Sequence, residues 1–168
     1  TGTETLILAG VLANGKTVLE NAACEPEIDQ LIEFLNKMGA KIKRTSTRTI
    51  VIDGVFKLHA ATFRIKPDRN EIVTFAIAAV ITNGDVLVKG AQDGDLLSFF
   101  KIFTKTGGVF KKKKDGIRFY SNNNLLQTQI VTSAHPGFMT DWQGPWAVLM
   151  TKAKGESIIH ETVYENRF

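Results

Sequence analysis

The chain has 168 residues, 43% of them hydrophobic and 23% charged, with a formal net charge of +4. That length buries one core or two small ones, and the composition is that of an ordinary soluble globular protein, not of a disordered or fibrous one. The longest apolar run, residues 72–81, is interrupted by Thr74 and is too short to cross a bilayer, so no membrane association is expected.

The opening Thr1-Gly2-Thr3-Glu4 lacks the basic start and cleavage pattern of a signal peptide, and the single cysteine, Cys24, fits a reducing compartment. A cytoplasmic location is therefore expected. Residues 4–13 read as an apolar helix broken after Gly15 and followed by a short β-branched strand. Ile28, Leu31, Ile32 and Leu35 recur at helical spacing, with Gly39 as the stop signal. Residues 41–44 and 48–52 form a predicted hairpin.

After possible linkers at 59–61 and 66–68, a second apolar helix spans 69–82. Asp68 is its predicted N-cap, and Glu71 is placed to reach back. A strand follows Gly84, and Asp95 opens an amphipathic helix with Leu96, Phe99, Phe100 and Phe103 as its stripe, ended by Gly107-Gly108. Residues 109–112 and 117–120 form the next hairpin. The run Lys111 to Lys114 ahead of Asp115-Gly116 reads as its solvated tip. Nucleic-acid binding is not expected, because no basic face with interleaved aromatics accompanies that run. A third linker, 121–124, precedes a third apolar helix over 141–153.

Gly15, Gly84 and Gly155 lie 69 and 71 residues apart, each after an apolar helix and before a short strand. The order helix, strand, helix, hairpin thus repeats, which argues for α/β or α+β layers. The first helices of the units are apolar on nearly all sides and are expected to be buried within a domain. The third unit stops at Phe168, short of its second helix and hairpin. A capping repeat or a piece of a longer chain accounts for this, and the latter is preferred; self-association of such a piece is plausible.

Two segments concentrate residue types that carry chemistry. In the first, His135 to Gln143, Thr140 and Gln143 have capping-box spacing, which puts Asp141 in the first turn of the third apolar helix. Asp141 is there either as a routine acidic residue at a helix start or as a general base facing a cleft. The second, Glu161 to Phe168, follows a strand and carries Arg167, either a solvated loop residue or a bidentate clamp for a carboxylate or phosphate. His59, His135 and His160 have no metal-ligand spacing, and no phosphate-cradling glycine loop is present, so neither metal nor cofactor is expected. Trp142 and Trp146, four apart, read as core.

Four segments resemble successive signatures of the UDP-N-acetylglucosamine enolpyruvyl transferases, in that family's order and approximate spacing. They are Glu20-Asn21-Ala22-Ala23-Cys24-Glu25-Pro26-Glu27-Ile28, Pro67-Asp68-Arg69-Asn70-Glu71, His135 to Gln143, and Glu161 to Phe168. The resemblance implies an inside-out α/β barrel built from repeated helix-strand-helix-hairpin units, incomplete here. By it, residues 1–66 are the last unit of one domain and 67–168 the first units of the other. The implied reaction moves the enolpyruvyl group of phosphoenolpyruvate to the 3-hydroxyl of UDP-N-acetylglucosamine, the first committed step of peptidoglycan synthesis. Asp141 would bind that hydroxyl and take its proton, and Arg167 would hold the carboxylate of phosphoenolpyruvate. Thr1, Gly2, Thr140 and Val163 would line the UDP-sugar.

The resemblance also puts the family's catalytic acid, a cysteine or aspartate, upstream of Thr1. Cys24 is not that residue, since it stands in a variable place before Glu25-Pro26-Glu27. These residues alone are therefore expected to be inactive. The competing expectation is a non-catalytic scaffold or interaction module on the same repeat, which does not require Asp141 and Arg167 to face one cleft.

Overall fold

Alternating branched residues build the first sheet. Ile50 and Ile52 of β3 (Thr49–Asp53) and Ile42 of β2 (Lys41–Ser46) point to one buried face, and β3 lies between β2 and β1 (Lys16–Leu19), antiparallel to both. Helices α1 (Gly2–Val11) and α2 (Pro26–Lys37) supply Ile7, Val11, Ile28, Ile32 and Leu35 to the same core. A Cβ on Gly10 would lie 3.0 Å from Ile52 Cδ1, so the missing side chain lets α1 approach the sheet closely. Asn36 on α2 covers the edge strand: its side chain accepts from Ile42 N and donates to Ile42 O, both at 2.9 Å. That satisfies backbone groups an edge strand otherwise leaves open.

These elements make up the first of two compact units, Thr1–Lys66 and Pro67–Phe168, in this computed structural model, which describes residues 2–167. No helix among the described residues is long and apolar enough to cross a membrane.

The second unit begins with α3 (Arg69–Ile81), whose N-cap Asp68 accepts from Asn70 N at 2.7 Å. β4 (Asp85–Lys89), β5 (Gly108–Lys113) and β6 (Gly116–Ser121) form an antiparallel sheet in the order β4-β6-β5. A 3-10 turn at Gly94–Leu96 leads into α4 (Leu97–Lys105). Ahead of β4 the left-handed residue is Asn83 (φ 53°), not the adjacent Gly84. The lysines at the β5–β6 tip are solvated; Lys112 pairs with Asp93, and Arg118 pairs across strands with Asp85.

One element is absent from the sequence reading. Gln129–Val131 forms β7, which pairs in parallel with β8 (Ile158–His160), and α5 (Gln143–Met150) makes the crossover that parallel strands require. An aromatic cluster fills the core beneath it. Phe99 meets Trp142 and Trp146 edge-on at 5.9 and 6.1 Å between ring centres, and Phe138 meets the same two rings at 5.5 and 5.4 Å.

The expected all-round burial of the apolar helices is only half right. In α1, Leu6 and Leu8 are 54% and 56% exposed, and Phe75 on α3 and Val148 on α5 are 52% and 56% exposed. Each of these helices packs one face on the core of its own unit, and among the described residues nothing covers the other.

Candidate active site

The aromatic core fixes the place of one acidic side chain. Thr140–Trp142 form a single 3-10 turn between β7 and α5. Trp142 is 1% exposed and is held on three sides. Phe99 and Phe138 pack edge-on, its Nε1 donates to Asn70 Oδ1 at 2.9 Å, and the buried Arg69 guanidinium lies 6.0 Å from its ring. Arg69 also donates to His135 Nδ1 at 3.0 Å, tying the start of α3 to the loop before the turn. With Trp142 anchored inward, the neighbouring Asp141 is turned outward.

The capping box predicted for Thr140 and Gln143 does not form. The residue at the N-cap of the turn is Met139, without a side-chain cap, and the Gln143 side chain is buried with no hydrogen-bond partner among the described residues. The Thr140 hydroxyl instead turns to the loop after β8, where it donates to Glu161 Oε2 at 2.9 Å. Asp141 consequently sits in the 3-10 turn ahead of α5, not in the first turn of that helix.

Arg167 returns to the same place from the other side. Its Nη1 donates to Thr140 Oγ1 at 2.8 Å and its Nη2 to Asp141 Oδ1 at 3.0 Å. Residues 26 positions apart are thereby joined, and Val163 to Arg167 line the recess next to them. A guanidinium carries five N–H donors, so these two bonds leave donors to orient a second anion. The pair is partly solvated, with side-chain exposures of 33% for Arg167 and 48% for Asp141. Tyr164 lies beneath the guanidinium, 5.7 Å from ring centre to Cζ.

Sequence reasoning gave Glu161 no role. Its Oε1 accepts from Val163 N at 2.7 Å and Tyr164 N at 3.0 Å, while Oε2 takes the Thr140 hydroxyl. Burial pushes the Glu161 pKa up, but the N–H groups of Tyr164 and Val163 and the hydroxyls of Thr140 and Thr132 outweigh that and bring it down to about 2. A carboxylate two and three residues ahead of the N–H groups it binds was a readable turn signal; its long-range bond to Thr140 was not. Of the other residues named from sequence, Gly2 opens α1 in the first unit, and Thr1 lies outside the described residues.

A family model described as EPSP synthase (3-phosphoshikimate 1-carboxyvinyltransferase) matches residues 1–168. The chain belongs to the EPSP synthase family. Among the curated members, it is 45% identical over 167 residues to the UDP-N-acetylglucosamine 1-carboxyvinyltransferase of Protochlamydia amoebophila, covering 99% of this chain and 36% of that protein. It is 46% identical over 172 residues to the enzyme of the same name from Bartonella henselae, covering 99% of this chain and 39% of that protein. The chain thus spans well under half the length of these relatives. The crystal structure of the enolpyruvyl transferase NikO from Streptomyces tendae matches with a TM-score of 0.84 at 24% identity, over 99% of this chain and 40% of that one. That likeness shows the EPSP synthase-type α/β fold.

Proposed function

We propose that these residues form part of a UDP-N-acetylglucosamine enolpyruvyl transferase acting in the cytoplasm in peptidoglycan synthesis, with Asp141 and Arg167 in its active site. The observation that carries this is the contact between Asp141 and Arg167 at the edge of an open recess. A scaffold has no need of such a pair. The substrate class follows from the names of relatives about 45% identical over nearly the whole chain.

An alcohol attacks poorly until a base removes its proton, and Asp141, outward-facing on a turn pinned by Trp142, is the carboxylate placed to take it. The sugar oxygen then bonds to C2 of phosphoenolpyruvate as C3 takes up a proton, and loss of a proton from C3 restores the double bond as the C2–O bond to phosphate breaks. Arg167 supplies the planar fork that suits the substrate carboxylate, and its present bonds to Thr140 and Asp141 fix its direction. The Val163 backbone, whose N–H is held by Glu161, is the part of the second unit that lies along the sugar nucleotide.

Residues 1–168 by themselves are expected to bind UDP-N-acetylglucosamine weakly and to turn nothing over, since they span 36% of the length of the Protochlamydia relative. Calorimetric titration of this stretch with UDP-N-acetylglucosamine, alongside Asp141→Ala, tests the assignment. Weak binding lost in the variant is the expected result. Equal binding by both proteins removes Asp141 from the sugar site.

A further inference from the structure

We propose that Glu161 is a positioning residue, a two-oxygen bracket that holds the Arg167 loop and, through the Thr140 hydroxyl, sets the direction of the Arg167 guanidinium. The inference deepens the transferase reading and rests on it for the identity of the bound anion.

One oxygen of Glu161 gathers the N–H groups of Val163 and Tyr164, closing the chain after β8 into a turn. The turn is carried on by Arg167 N, which donates to Tyr164 O at 3.3 Å. At its base, Thr162 N donates to Thr132 Oγ1 at 3.0 Å, and the Thr162 hydroxyl donates to Thr132 O at 2.5 Å. Thr132 itself is fully buried. The bracket therefore stands on the core and not on a mobile tip.

The second oxygen acts at longer range, on a hydroxyl 21 residues away. An ionised carboxylate only accepts hydrogen bonds, and a hydroxyl has a single proton. Glu161 therefore accepts the hydrogen bond from the Thr140 hydroxyl, and the Thr140 oxygen presents its lone pairs to Arg167 Nη1, which can only donate. Donor and acceptor alternate along Arg167, Thr140 and Glu161 with no conflict, and the low Glu161 pKa keeps the acceptor end charged at any working pH. Amide replacement keeps the shape and brings a donor into the bracket. The Thr140 hydroxyl then has less reason to point at residue 161, and Arg167 loses its fixed acceptor.

The test uses the polypeptide as encoded, with Glu161→Gln, Thr140→Val and the double variant, and two readouts. The first is the order of the Arg167 side chain from 15N relaxation of its Nε–Hε group, which needs no catalysis. Both single variants are expected to increase its mobility, and the double variant to loosen it by less than the sum of the two, because part of the effect of Glu161 passes through Thr140. The second is steady-state kinetics. Here KM for phosphoenolpyruvate is expected to rise about tenfold in Glu161→Gln, the scale of one hydrogen bond to a charged group, with kcat changed far less.

Unchanged Arg167 order in Glu161→Gln overturns the proposal. So do additive effects in the double variant. Thr140→Val leaves the backbone bracket intact and covers the case in which Glu161→Gln does not fold. A wild-type protein that transfers nothing, but whose Arg167 loosens on substitution as described, sinks the transferase reading and leaves the positioning role standing.

Discussion

Asp141→Asn, in the polypeptide as encoded, is expected to lower kcat by about 10² to 10⁴-fold, the usual contribution of a positioned general base. Asparagine keeps the size of the side chain and a hydrogen-bond acceptor for Arg167, but not a site that takes a proton. Binding of the sugar nucleotide should weaken much less than turnover falls. Loss of folding does not explain such a result, because the Asp141–Arg167 pair is partly solvated, with exposures of 48% and 33%. Ion pairs of that kind contribute about 0–1 kcal/mol to stability. Parallel kinetics and thermal melts check the split: a thousandfold fall in kcat with a nearly unchanged melt fits a base, whereas unchanged kcat contradicts the role. Arg167→Lys should act differently, raising KM for phosphoenolpyruvate, since lysine cannot offer a planar two-point contact.

Trp142→Ala is expected to have the largest effect on stability, about 3–5 kcal/mol, the range for removing a buried tryptophan. That is a large share of the roughly 5–15 kcal/mol that a folded domain holds in reserve. The substitution removes two edge-on ring contacts and the bond to Asn70, and it takes away the ring that the buried Arg69 faces. It also frees the turn that carries Asp141. Val148→Ala, at a position 56% exposed, serves as the contrast, with an expected change within about 0.5 kcal/mol. Both tryptophans of the chain, Trp142 and Trp146, lie in the second unit, so the fluorescence of Trp146 still reports that unit's unfolding in the variant. Equal midpoints in denaturant for Trp142→Ala and the parent chain would contradict this account of the core.

The elements most legible in the sequence are those whose signal is local. The stripe Leu96, Phe99, Phe100, Phe103 predicts α4 because one helical face must be apolar, and those four residues are buried. Asp68 reads as an N-cap because its bond to Asn70 N spans two residues. What failed depends on partners distant in the chain. β7 is three residues long and exists through its parallel pairing with β8, nearly thirty residues later, so no periodicity within Gln129–Val131 reveals it. Thr140 carried a sound local capping signal, but its hydroxyl oxygen accepts from the charged Arg167 Nη1, far along the chain, while its hydrogen is donated to Glu161.

The exposed faces of α1, α3 and α5 show a further limit. An all-round apolar helix signals that burial is favourable, not which element supplies it. At the candidate site, spacing alone left Asp141 and Arg167 each with a bland reading. The resemblance to a family gave them roles, and the fold brings them within 3.0 Å. Glu161 stood inside a quoted motif without a role, because its purpose is visible only when Val163, Tyr164 and Thr140 are seen around it.

The central claim is that the EPSP synthase-family fold here serves a sugar nucleotide, and phosphate release tests it most directly. The polypeptide as encoded is incubated with phosphoenolpyruvate and either UDP-N-acetylglucosamine or shikimate 3-phosphate, the acceptor implied by the family's own description. Phosphate released only with UDP-N-acetylglucosamine, and lost in Asp141→Asn, is the predicted result. Release with shikimate 3-phosphate and none with the sugar nucleotide would contradict it.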